Sequence, residues 1–394
     1  MDKKRTTKLT IAVLSIVTLL LFAFSIGVRP RPTAHAEGDY RAIYVIDHDT
    51  GTVIASEHEN DRYPIASMVK IMTLLLTFEE LDKGNILLDE KIAVSEYASS
   101  MGGSQLFLDA GKEYPISDLI KGVSVCSAND AAVALGERIS GNNDAFIEKM
   151  NKRATELQMN DTLFCNATGL PDSGTQYSTA KDVTTMMRNL LSHQKYYDYA
   201  GITLEDYVHP DGRKTQMVNT NKLIRSYPGC DAGKTGFTNE AMFCLSSTAK
   251  RGDTRAIVTI LGCPDSKTRF RKVSDTFSYV FSNYQTKFFM KKGDKIHCDI
   301  VYPNAKGAIT EVICDGDLSV FGKKGDLDNY SVSVTFDENI KAPISTSNAI
   351  GYATLYNDKG EKLSESRLYP TQDIDKKGFF DNFKHVIDHW KIAK

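Results

Sequence analysis

Beyond Tyr284 the sequence falls into a period of two. Residues 295–303, 308–316, 330–338, 349–357 and 361–369 each alternate apolar and polar side chains. On a helix that pattern would scatter the apolar groups around the axis, whereas on a strand it gathers them on one face. Turn formers such as Asn357-Asp358-Lys359-Gly360 separate the segments. Residues 285–370 are therefore expected to fold as a small antiparallel β domain, a sandwich. They hold no cluster of catalytic side chains and suit a spacer or docking module. Any chemistry must lie upstream.

Upstream the pattern is mixed. "RAIYVIDHDTGTVIASE", from Arg41, suggests two strands around a turn at Asp49-Thr50-Gly51. From Ser67 to about Leu81 the apolar residues Ile71, Met72, Leu75, Leu76 and Phe78 follow a helical spacing. Helical pattern continues through "YPISDLIKGVSVCSANDAAVALGERIS" and "NDAFIEKMNKRATELQM". A β hairpin turning at Lys250 to Asp253 follows, and then a helix through "DSKTRFRKVSDTFSYVFSNY". Strands, a helical insert, strands and a closing helix make residues 37–284 a mixed α/β (α+β) domain. At 394 residues, two folded units are the natural expectation.

The two ends differ from this body. "MDKKRTTK" is a positive region, residues 9–28 are almost wholly apolar, and Ala34-His35-Ala36 offers an A-x-A site. Residues 1–36 are expected to be a secretory signal cleaved after Ala36, the alternative being a retained anchor. Either places the protein outside the cytoplasmic membrane. At the other end, Phe379, Phe380, Phe383, Val386, Ile387 and Trp390 would share one helical face, with Lys384, Asp388 and Lys391 off it. Residues 371–394 are expected to form an amphipathic helix lying on a membrane surface; the alternative is a helix packed on the β domain. The first 36 residues carry six basic side chains and one acid, which leaves 42 basic and 49 acidic residues in the rest. A body at −7 lacks the basic face that a nucleic-acid partner needs. The seven cysteines show no C-x-x-C and no zinc-ligand spacing, and neither a metal nor a cofactor is expected.

Three short motifs carry chemistry. Ser67 and Lys70 stand at i and i+3, so a helix start brings Oγ and Nζ within hydrogen-bond reach. Amide groups at such a start favour negative charge on the serine oxygen. Desolvation, or a second cation, can make the lysine a base. Next comes Ser127-Ala128-Asn129-Asp130. Ser127 could relay a proton to a leaving amine, and Asn129 could hold a substrate amide or Lys70. Last is Lys234-Thr235-Gly236 within "DAGKTGFT". Lys234 supplies the second cation, Thr235 can bond a carboxylate, and Gly236 is expected to let a substrate backbone lie against the strand edge. Each motif alone has a bland reading as a helix surface, an N-cap or a strand end. Their order, S-x-x-K, S-x-N, K-T-G, is that of the penicillin-recognising serine enzymes.

With "NATGLPDSGTQYSTAKD", "NTNKLIRSYPGCD" and "SKTRF", the chain resembles the D-alanyl-D-alanine carboxypeptidases, low-molecular-weight penicillin-binding proteins, from about Ala42 to Tyr284. The resemblance implies a β-lactamase/transpeptidase-like fold, with the β domain and amphipathic helix also in that layout. It makes Ser67 the nucleophile, Lys70 the general base, and Ser127 and Asn129 the second catalytic pair. Lys234-Thr235-Gly236 becomes the substrate-binding strand, the backbone N–H groups of Ser67 and Phe237 the oxyanion hole, and Arg269 a reader of the substrate carboxylate. The implied partners are peptidoglycan stem peptides ending in D-Ala-D-Ala and β-lactam antibiotics, with roles in cell-wall synthesis and cell shape at the outer face of the cytoplasmic membrane. Ala232 and Ala241-Met242 depart from the family's usual Gly and Ala-Gly. Two rivals remain. Glu156 to Asn160, "ELQMN", is a near miss to the deacylating segment of a class A β-lactamase but ends a helical pattern. A non-catalytic wall-binding protein would have eroded Ser67, Lys70 or Lys234, and all three are present.

Overall fold

The computed structural model describes residues 38–171 and 176–378. The expected signal segment and residues 379–394 of the expected amphipathic helix lie outside them.

Strands β1 (Ala42–Asp47), β2 (Val53–Glu57), β3 (Cys230–Thr238), β4 (Met242–Arg251) and β5 (Thr254–Cys263) form one antiparallel sheet in the order β2-β1-β5-β4-β3. The first strand of the chain thus sits beside the last of the five, and β3 is an edge. Both hairpins foreseen from sequence are present. The first turn is tied by Asp47 Oδ2, which accepts from Thr50 N and Oγ1. Gly252 at φ +59° makes the second.

β5 is buried along almost its whole length because both of its faces are covered. Ala256, Val258 and Ile260 face one core, while Ile257 and Leu261 face the other. Helix α1 (Lys70–Asp82) is buried on nearly all sides, consistent with its uncharged run from Ile71 to Phe78. Around it stand α2 (Ile116–Val125), α3 (Asn129–Ser140), α4 (Asn143–Glu156) and α5 (Ala180–Leu190), which form the helical insert on one face of the sheet. Side-chain caps start two of them, Asn142 accepting from Ala145 N and Thr179 from Asp182 N. Helix α6 (Ser266–Asn283) covers the opposite face with Val273, Phe277 and Val280.

β6 (Tyr284–Met290) leaves α6 without a loop and pairs with β9 (Leu318–Lys323). The other C-terminal strands are β7 (Lys295–Ile300), β8 (Ile309–Cys314), β10 (Ser331–Phe336), β11 (Gly351–Tyr356) and β12 (Lys362–Pro370). They make a second antiparallel sheet in the order β7-β8-β12-β11-β10, closed over Val312, Leu318, Ile350, Ala353, Leu355 and Leu368. The five alternating segments are these five strands; β6 and β9 were not foreseen. At the junction, Thr286 Oγ1 donates to buried Asp47 Oδ1 at 2.9 Å, Thr286 N donates to Thr254 Oγ1, and the rings of Tyr284 and Phe321 lie parallel. Residues 371–378 contain no helix, contrary to expectation. Ile374 and Lys376 instead form β-bridges to Ile344 and Ala305. Among the described residues no helix is long and apolar enough to cross a membrane.

Candidate active site

Ser67 occupies a 3-10 turn, Ala66–Val69, which leads directly into α1 at Lys70. The serine is therefore one turn earlier than an α-helical start would place it, but the lysine still reaches it. Lys70 Nζ lies 2.9 Å from Ser67 Oγ and donates to the Thr168 carbonyl at 2.7 Å. Early N–H groups of such a turn have no partner within it. The Ser67 amide is one of these, which suits it to an oxyanion.

Ala66, at φ +47°, holds the sharp entry to the turn. Two glycines pack against it. A Cβ on Gly169 would fall 1.9 Å from the Ala66 carbonyl oxygen, and one on Gly236 would fall 2.6 Å from that of Ile65. Gly236 thus has a structural reason to lack a side chain besides the substrate role expected of it. Its bare face seats the nucleophile turn.

β3 delivers Lys234 by its period of two, which points Ala232, Lys234 and Gly236 toward the helical insert. Lys234 Nζ donates to Ser127 Oγ at 2.7 Å and to the Thr235 carbonyl at 3.0 Å. Both lysines are fully buried. Burial, joined by the neighbouring Lys234 charge, holds Lys70 well below the ordinary lysine range. Burial, with Arg269 acting in the same direction, brings Lys234 to about 7. The Cys126 thiol beside them is pushed up to about 11 by burial and stays protonated at neutral pH.

Ser127 stands at φ +63° between α2 and α3. Asn129 opens α3, but its Nδ2 donates to the Gly102 carbonyl at 2.6 Å and its buried Oδ1 has no hydrogen-bond partner among the described residues. Asn129 thus does not hold Lys70, as one expectation had it; Thr168 does. Thr235 and Phe237 alternate to the α6 side of β3, where the Phe237 ring is half exposed against Phe243. Arg269 arrives from α6, donates to the Cys244 and Gly236 carbonyls at 3.1 and 3.4 Å, and has its guanidinium over the Phe243 and Phe270 rings. Burial lowers it to about 10, and no carboxylate pairs with it among the described residues. The geometry therefore bonds Ser67 to Lys70 and Ser127 to Lys234, with the two lysines near enough for the charge of one to act on the other. It places Asn129 two residues after Ser127, and sets Thr235, Phe237 and Arg269 on the outer side of the same strand.

Sequence reasoning missed Thr168, because a backbone carbonyl carries no side-chain signature. The available signal was Asn166 two residues earlier, a residue type that folds the backbone after it. The near-miss glutamate behaves as a helix-end residue. Glu156 closes α4, is exposed, and pairs with Arg153 at 3.0 Å. All seven cysteines are free thiols.

Comparison with known proteins identifies the family and the fold. The model of the D-alanyl-D-alanine carboxypeptidase family matches residues 31–265, and that of the penicillin-binding protein 5 C-terminal domain matches residues 284–376. The D-alanyl-D-alanine carboxypeptidase DacF of Bacillus subtilis is 38% identical over 375 residues, covering 95% of each chain. Among solved structures, the carboxypeptidase DacD of Francisella tularensis is 26% identical with a TM-score of 0.66, over 89% of this chain and 97% of that one. Penicillin-binding protein 5 of Haemophilus influenzae is 25% identical with a TM-score of 0.69, over 87% of this chain and all of the other. A serine bonded to a buried lysine on this fold, with family models matched across both parts of the chain, makes the protein a member of the D-alanyl-D-alanine carboxypeptidase family of serine peptidases.

Proposed function

We propose that this protein removes the terminal D-alanine from peptidoglycan stem pentapeptides through an acyl-enzyme on Ser67, and that β-lactams acylate the same oxygen. The observation that carries the reading is the contact between the buried Lys70 amine and Ser67 Oγ at 2.9 Å. A neutral amine there takes the hydroxyl proton as Oγ attacks the carbonyl carbon of the penultimate D-alanine. The C–O bond forms, and the carbonyl oxygen becomes an oxyanion facing the amides of Ser67 and Phe237. The C–N bond then breaks, and the departing D-alanine nitrogen receives the proton that Lys70 took, relayed by Ser127, which Lys234 contacts. Water splits the ester and restores Ser67. Arg269 and Thr235 suit the terminal carboxylate because they bring a cation and a hydroxyl to one side of the open edge strand.

The sequence further supports export by residues 1–36, a station at the outer face of the cytoplasmic membrane through residues 379–394, and a part in wall synthesis and cell shape. The test of the enzymatic reading is intact mass. Benzylpenicillin is expected to add one adduct to the wild-type protein and none to Ser67→Ala, and a D-Ala-D-Ala pentapeptide is expected to release D-alanine only with the wild type. An adduct that survives Ser67→Ala defeats the proposal.

A further inference from the structure

The turn that supplies the Thr168 carbonyl is built around one side chain. Asn166, buried, takes four hydrogen bonds on Oδ1, from Thr168 N (3.1 Å), Gly169 N (2.7 Å), Thr168 Oγ1 (3.2 Å) and Gln176 Nε2 (3.2 Å). Its Nδ2 donates to the Leu170 carbonyl at 3.0 Å. Five bonds from one amide close the turn on itself. Helix α1 then grips the turn twice from one face. Lys70 holds the Thr168 carbonyl, and Thr73, three residues on, donates from Oγ1 to the Ala167 carbonyl at 3.0 Å. Gly169 seats against the backbone of Ala66, next to the nucleophile.

A neutral amine has two hydrogens and one lone pair. Where a fixed carbonyl takes one hydrogen, the amine can no longer rotate freely, and its lone pair has a defined direction. We propose that Asn166 is a positioning residue for acylation: it folds residues 167–169 so that the Thr168 carbonyl orients the Lys70 amine toward the Ser67 hydroxyl and keeps water from it. Asn166 touches no reacting atom and acts only through the turn. The proposal rests on Lys70 being the base.

Loss of the turn has two opposed effects on the amine. Removing an acceptor disfavours the ammonium form, while admitting water favours it. Burial is the largest cause of the depressed Lys70 basicity, so water entry dominates. The charged and titratable groups facing Lys70 are Lys234 on β3, Cys126 at the end of α2 and Asp130 on α3, and none of them is altered by the substitutions below.

The experiment measures the benzylpenicillin acylation rate against pH on the full-length protein. Asn166→Ala is expected to move the acidic limb upward by about one pH unit, with about a tenfold loss at pH 7 that recovers at high pH. Thr73→Val should shift the limb in the same direction by less, and Thr73→Ser should restore the wild-type profile. A uniform loss at every pH, or an unmoved limb in both Asn166→Ala and Thr73→Val, overturns the proposal. Should Asn166→Ala fail to fold, the Thr73 pair decides on the same criterion. Lys70→Met separates the two readings. If it is acylated like wild type, the base assignment falls; if it is inert while the limbs stay put, only the role of Asn166 falls.

Discussion

Lys234 has no acidic partner among the described residues, so its depressed basicity is a stability cost held inside the fold. Its folded value of about 7 lies below the ordinary 10.5, and the unfolded chain binds the extra proton between those limits. The penalty is thus complete below about pH 7 and fades as pH rises toward 10.5. Lys234→Met should therefore raise stability by about 2 kcal/mol at pH 7, after its lost hydrogen bonds are discounted, while abolishing acylation. Denaturant unfolding at pH 7 and pH 10 checks this, with the gain expected to shrink at the higher pH. This residue, like Ser67, Lys70 and Ser127, was legible from sequence, because its chemistry belongs to its side chain and its motif has fixed spacing. Asn129 was legible as a member of the site but not in its bonding, since its partner Gly102 comes from a loop with no pattern of its own. The Thr168 carbonyl was invisible for the same kind of reason.

Edge strand β3 and the turn before α1 meet through absent atoms. Gly236→Ala would place a methyl group 2.6 Å from the Ile65 carbonyl oxygen and 3.2 Å from Met68 Cγ. The turn must move, and a displacement near 1 Å at a nucleophile costs about a hundredfold in rate. Penicillin acylation of Gly236→Ala is expected to fall by that order while circular dichroism stays like wild type. An unchanged rate would mean that the strand and turn are not rigidly coupled. Among elements, the hairpins, α6 and the alternating strands were legible because each obeys a single period. β6 and β9 were not. "YQTKFFM" follows a helix with no turn signal between, and its Phe288-Phe289-Met290 run breaks alternation. Residues 371–378 resisted for the opposite reason: a helical pattern further on was extended backward into a segment tied down by β-bridges.

Taken whole, the molecule joins its two sheets through β6, and the join is polar as well as aromatic. Asp47, buried with no cation paired to it among the described residues, depends on Thr50 and Thr286 as donors. Removing one of them by Thr286→Val should cost about 2 kcal/mol, seen as a lowered unfolding midpoint with acylation unchanged in the native protein. A neutral result would show that the aromatic stack of Tyr284 and Phe321 carries the junction alone. The two-part architecture was legible from the change of period, and its seam was not, because Asp47 and Thr286 lie 239 residues apart. The same remoteness governs the reactive centre. Lys70 meets a carbonyl 98 residues downstream, and Ser127 meets a lysine 107 residues downstream on the third strand of its sheet in chain order. No ribosome-bound fragment that stops short of β3 is therefore expected to be tagged by a fluorescent penicillin, so the label passes over every partial product that ends before that strand.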